Sequence, residues 1–153
     1  MVPHLYTMRM IAGKDRAVGA IVVCRAEGRL LFCLIQNEEG HWGFPKGHLD
    51  DGESDIDTVR RELAEETGIT EARLDTSHTY TEEYQFERKG KQYNKTVDYF
   101  LAFVEKIDNK TPEEFRSEIP DMRWLSYQRA LEIIRAQSKP LLMQVYAYLE
   151  SRT

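Results

Sequence analysis

Glu62, Glu65 and Glu66 stand three and four residues apart in a run with helical character. At about 100° per residue, Glu65 and Glu66 fall roughly 60° and 40° to either side of Glu62. Three carboxylates so crowded are either a solvated acidic face or a site for a hard cation. Mg²⁺ takes oxygen ligands and is held by a few carboxylates together with substrate phosphates. Ile56, Val59 and Leu63 lie beside this arc, at about +60° to +120°. One side of the helix therefore packs while the adjacent side presents negative charge.

The context of the glutamates is more specific than the cluster itself. From Gly47 to Ile69 the chain reads GHLDDGESDIDTVRRELAEETGI. This matches G-x5-E-x7-R-E-U-x-E-E-x-G-U, with U a bulky aliphatic residue. The fixed positions are Gly47, Glu53, Arg61, Glu62, Leu63, Glu65, Glu66, Gly68 and Ile69. At a usage of roughly one in fifteen per residue type, chance matches are on the order of one in ten million. The segment resembles the Nudix box, and the chain is similar to the Nudix hydrolases.

That resemblance implies an α+β fold, an α/β/α sandwich with a mixed β-sheet, in which the box forms a loop-helix-loop. It implies one such domain over residues 1–153. It also implies water attack on a phosphorus of a nucleoside diphosphate linked to another group, with Mg²⁺ as the cation and Mn²⁺ as the alternative. Carried over by position, Glu65 and Glu66 match metal ligands, Glu62 a ligand or general base, and the carbonyl of Lys46 a further metal contact. Arg61 and Glu53 match a pair that braces loop against helix, and the guanidinium fork suits a carboxylate.

Residues outside the box bear on the substrate. Trp42 to His48, WGFPKGH, and Lys95 to Leu101, KTVDYFL, resemble segments of the asymmetric diadenosine tetraphosphate hydrolases. Ser117-Glu118 and Arg123-Trp124 match that group more loosely. Under this resemblance Lys46, His48 and Lys95 contact a polyphosphate, and Phe86, Tyr84 or Tyr99 stacks on adenine. Ordinary strand packing is the alternative for each aromatic. Glu118 is either an extra metal ligand or a solvated loop residue. Other substrates within the family are (d)NTPs, nucleotide sugars and RNA 5′ ends, and a silent nucleotide-binding module is the non-enzymatic alternative.

These residues need a scaffold. Arg16 to Arg25 and Arg29 to Gln36 read as paired strands around the Glu27-Gly28 turn. Asn37 to Asp51 is a glycine- and proline-punctuated loop, long enough to be functional. A helix spans Ser54 to Thr67, with Gly68 as its stop. Ser77 to Arg88 and Asn94 to Lys106 read as strands, and Asp121 to Leu125 as a short one. Ser126 caps a helix to Gln137, and Pro140 opens a last helix to about Leu149.

Composition excludes other classes. The 153 residues are 41% hydrophobic and 31% charged, as in a folded domain rather than a disordered chain. No apolar run approaches the roughly 20 residues of a bilayer span. Residues 1–10 show no export signal. A net charge of −5 speaks against a stable nucleic-acid complex, while cations let the chain bind a polyanionic nucleotide. Cys24 and Cys33 read as buried thiols of a cytoplasmic protein. A monomer or homodimer is expected.

Overall fold

The computed structural model describes residues 11–152. Residues 1–10, where no export signal is expected, lie outside them. β1 (Ile11–Ala26) and β2 (Arg29–Gln36) form a hairpin. The long loop contains β3 (Trp42–Gly43) and β4 (Lys46–Gly47) and leads to α1 (Asp55–Thr67). A second hairpin, β5 (Arg73–Arg88) and β6 (Lys91–Phe103), follows. It turns through Lys89 and Gly90, both at positive φ. The chain closes with β7 (Asp121–Ser126), α2 (Tyr127–Ile133) and α3 (Lys139–Glu150).

The sheet runs β3-β2-β1-β6-β5, with β4 on β1 and β7 on β2. β1 and β6 are parallel, whereas the other pairs are antiparallel, so the sheet is mixed. Both faces of β1 are buried. Val18, Ala20, Val22 and Cys24 join a cluster with Val59 and Leu63 of α1. Ala17, Ile21 and Val23 join another with Ala130 of α2 and Leu142, Val145 and Leu149 of α3. This is the α/β/α sandwich: α1 covers one face, α2 and α3 the other. Each Val, Ile or Leu among them stabilises the fold by about 2 kcal/mol when fully buried. Cys24 and Cys33 are both buried and unbridged. No helix among the described residues is long and apolar enough to cross a membrane.

Local signals fix α1. The Ser54 hydroxyl accepts the Asp57 amide, and the Asp57 carboxylate accepts the Ser54 amide, a reciprocal N-terminal cap. Gly68 ends the helix at φ 74° and donates its N–H to the Ala64 carbonyl. A Cβ at Gly68 would stand 2.1 Å from the Lys110 carbonyl oxygen. Gly68→Ala should therefore cost at least ~1–2 kcal/mol for the left-handed backbone, plus displacement of residue 110. Chemical denaturation checks this, and a variant as stable as the parent would refute it.

One helix is shorter than its sequence implies. Expected to reach Gln137, α2 stops at Ile133. Ile134 turns extended and bridges to Trp42, and the Arg135 amide donates to the Trp42 carbonyl. Pairing with a distant loop outweighs the local preference to continue the helix. Residues 136–138 form a separate 3₁₀ turn.

Candidate active site at the loop-helix junction

Gly19 sets the approach of the loop to the sheet. The Ala20 amide donates to the Pro45 carbonyl at 3.0 Å, and a Cβ on Gly19 would lie 2.2 Å from that oxygen. β4 pairs on β1 through Val18↔Gly47 and Gly19↔Lys46, bringing Lys46 and Gly47 to α1. Gly47 leaves room for Glu62, whose carboxyl would meet a Cβ there at 2.1 Å. The Lys46 amide donates to Glu66 Oε1 at 2.8 Å.

Arg61 organises the loop. Its Nε and Nη2 donate to the two oxygens of Glu53 at 2.7 and 3.0 Å, and Nη2 also donates to the His48 carbonyl at 2.9 Å. Glu53 Oε1 further accepts the Asp50 amide and the Thr58 hydroxyl. Hydrogen bonds from Arg61 and then the Asp50 amide hold the Glu53 carboxyl down at about 2. The remaining nitrogen, Nη1, donates to Glu62 Oε1 at 2.9 Å and to Glu65 Oε2 at 3.3 Å.

The carboxylates thus share one side of α1, but they do not converge. Among the described residues no three Asp, Glu, His or Cys side chains are gathered as ligands around one point. The crowding expected from the helical spacing is divided: Glu62 and Glu65 turn to Arg61, Glu66 to the Lys46 amide. Burial, then the neighbouring Glu62, pushes the Glu66 carboxyl up to about 8. Burial raises Glu62 as well, outweighing Arg61. Two carboxyls that resist ionising side by side are suited to a divalent cation, which would relieve both. The carboxylates present fit such an ion: the Nη1 contacts of Arg61 occupy one oxygen each of Glu62 and Glu65, and the Lys46 amide one oxygen of Glu66.

Substrate-side candidates lie along one face of the sheet. In register, Tyr84 pairs with Lys95 and Phe86 with Tyr93 across β5 and β6, while Asp15 of β1 pairs with Lys95. Lys95 is 5% exposed; its Nζ donates to Asp15 at 2.5 Å and lies 3.1 Å from His48 Nε2. His48 Nε2 is 2.9 Å from Asp15 Oδ1, leaving the ring largely exposed. Phe86 stacks on Tyr93 at 5.4 Å, with the Arg88 guanidinium 5.1 Å from the Phe86 ring.

Tyr99 does not present a face to a base. It is 1% exposed, packs edge-on against Phe44 at 5.3 Å, and donates its hydroxyl to Glu82. The preference for a packed aromatic in a central strand prevails here. Glu118 is exposed just after the 3₁₀ turn Glu113–Phe115, next to Ile119. Ile119 itself lines a cavity of ≈ 80 Å³ with Lys46, Glu66, Tyr99, Arg135 and Ser138.

Two charged residues of this region carry no motif. The Arg135 guanidinium stands 5.4 Å from the Tyr84 ring centre. Glu82 is buried and accepts hydroxyls from Ser138 at 2.8 Å and Tyr99 at 3.1 Å. Period-two alternation with Tyr80, Tyr84 and Phe86 is the signal that places Glu82 on the inner face. A larger cleft of ≈ 510 Å³, between Gly68–Arg73 and Phe103–Asn109, holds none of the candidate residues.

Residues 13–145 match the NUDIX domain. The chain belongs to the NUDIX family. As a Nudix hydrolase it is 34% identical over 115 residues to the mouse (Mus musculus) bis(5′-nucleosyl)-tetraphosphatase [asymmetrical], covering 74% of this chain and 76% of that protein. It is 27% identical over 150 residues to an RNA pyrophosphohydrolase of Bartonella henselae, covering 85% and 86%. In structure it resembles the crystal structure of a C. elegans Ap4A hydrolase binary complex, with TM-score 0.76, 29% identity, and coverage of 90% and 98%. Nudix hydrolases generally use divalent metal ions, which agrees with the donor set of Glu62, Glu65 and Glu66.

Proposed function

We propose that this chain works as a single Nudix domain that hydrolyses a dinucleoside polyphosphate, diadenosine tetraphosphate above all, to ATP and AMP with Mg²⁺. The observation that carries this reading is the 34% identity to an asymmetric tetraphosphatase over three-quarters of the chain. The residues agree with it. Lys46 beside Glu66, and Lys95 with the His48 imidazole further along β1, offer donors to a polyphosphate, and an aromatic pair, Phe86 and Tyr93, lies beyond them on the same face.

Glu62, Glu65, Glu66 and the Lys46 carbonyl would hold the cation, with Glu118, which precedes the cavity-lining Ile119, as a further candidate ligand. Bound there, it would supply neutralisation of phosphate charge and a lowered pKa for attacking water. Arg61 Nη1 is the group that would have to release Glu62 and Glu65, while its Nε and Nη2 bonds to Glu53 and the His48 carbonyl would keep the loop braced. Lys46, which lines the small cavity together with Glu66, orients the phosphate chain. Phe86 or Tyr84 stacks on adenine and fixes which phosphorus is presented. Such positioning supplies much of the catalysis, because attack requires reacting atoms about 3 Å apart.

A panel of dinucleoside polyphosphates, (d)NTPs, nucleotide sugars and 5′-triphosphorylated RNA in Mg²⁺ tests the reading. Diadenosine tetraphosphate should be turned over with the highest kcat/KM, and heavy oxygen from labelled water should appear in AMP. Two ADP as dominant products would contradict the register. Preference for RNA ends would place the chain with the Bartonella relative instead.

A further inference from the structure

We propose that Asp15 is an internal stand-in for substrate phosphate, occupying the Lys95 and His48 donors until a phosphate chain displaces it. The inference rests on the reading that these donors receive polyphosphate, and adds a competitor for them that sets how tightly they do so. Asp15 belongs to none of the motifs above; it reaches the site through the parallel pairing Asp15↔Lys95 of β1 and β6.

Two donors converge on one small anion. Lys95 Nζ donates to Asp15 Oδ2, and His48 Nε2 lies 2.9 and 3.0 Å from the two carboxylate oxygens. Lys95 Nζ also lies 3.1 Å from His48 Nε2, so the ammonium, the imidazole and the carboxylate form one compact cluster whose proton placement on His48 follows from its tautomer. Lys95 is buried, so its ammonium needs an anion at all times. His48, by contrast, has a side chain 56% exposed, and that of Asp15 is 21% exposed. The anion position therefore opens towards solvent through His48. The geometry also lies in line with the rest of the face: Lys46 and Glu66 on one side, Phe86 and Tyr93 on the other. A phosphate passing between them meets Asp15 at the donors. Against the cost of burial, hydrogen bonds from Lys95 and His48 hold the Asp15 carboxyl down at about 2. It is therefore an anion at any working pH, repelling a phosphate chain as well as blocking it.

Asp15 is thus a positioning and specificity residue that acts through Lys95 and His48. It keeps the buried ammonium paired in the free protein and penalises weakly charged ligands, which cannot outcompete a carboxylate already in place. Only a polyanion with several phosphates recovers the cost.

The test compares the parent with Asp15→Asn, which keeps shape and removes charge. Inorganic tripolyphosphate binding in Mg²⁺ should tighten by about tenfold, and the KM for diadenosine tetraphosphate should fall in proportion. The free variant should melt lower, with Lys95 unpaired, yet gain more in Tm on adding tripolyphosphate than the parent does. A purely bracing carboxylate would give the opposite: weaker binding and an equal or smaller gain. Equal or weaker tripolyphosphate binding overturns the proposal. Should the variant not fold, the Asp15 side-chain carboxyl resonance of the parent serves. It should move as tripolyphosphate saturates the protein, and an unmoved resonance at saturation also overturns the inference. Tighter tripolyphosphate binding without turnover of the dinucleotide would retire the substrate assignment and leave the role of Asp15 standing. Turnover with no change in binding would do the reverse.

Discussion

Glu66→Gln should remove turnover by several orders of magnitude while making the cation-free protein more stable at pH 8 than its parent. Both effects come from one group. In the fold the Glu66 carboxyl is pushed from its ordinary 4.5 to about 8, chiefly by burial and then by Glu62. Its contribution to stability is complete below pH 4.5, declines as pH rises, and is spent once pH passes 8. Gln has no proton to lose, and its side-chain oxygen still accepts the Lys46 amide. With a chelator present, the parent's Tm should therefore fall between pH 5 and pH 8 more steeply than the variant's. Added Mg²⁺ should raise the parent's Tm at pH 8 more than the variant's. Superimposable Tm curves would refute the electrostatic assignment, and near-normal turnover would refute the role in holding the cation.

Arg61→Lys should lower Tm by several degrees and activity by about 10–100-fold, although the charge is kept. An ammonium cannot reproduce the paired Nε and Nη2 bonds to Glu53 and also reach the His48 carbonyl. Glu53 then loses the donor that sets its orientation, and the loop carrying Lys46 and His48 loosens. The loss should appear in kcat as well as KM, because loop position affects every group of the site. Thermal unfolding together with kinetics on the same preparation checks this. An unchanged Tm with a selective loss of substrate affinity would show that Arg61 touches phosphate instead.

The box helix and its stop were legible because their signals are local. Gly68 lies at the helix end it closes, and the apolar stripe of Val59 and Leu63 recurs at helical spacing, whereas the Ser54–Asp57 cap was seen only in the structure. The strands around Val18–Cys24 and Val97–Ala102 were legible for the same reason. The end of α2 was not, since Ile134 leaves the helix to pair with Trp42, far away in sequence. Asp15 and Arg135 gave no signal at all, because each gains meaning only from partners the fold supplies. Tyr99 shows the converse. Its type and strand suited a stacking platform, but β6 is central, and its ring is enclosed by Phe44 and its hydroxyl by Glu82. The three glutamates were legible as a face, while their division between Arg61 and the Lys46 amide depends on how closely the loop approaches.

The parallel pairing of β1 with β6 also bears on how the protein is made. Asp15 and Lys95 meet across a separation of 80 residues, and the whole Nudix box lies between them in the chain. Ordering so long a segment costs entropy before its contacts repay it, which slows folding. During synthesis the box helix leaves the ribosome before β6 does. A nascent chain can thus carry every fixed residue of the motif while the inner edge of β1 is still bare. The candidate site is then completed late and abruptly, when β6 docks, instead of accumulating as the chain emerges.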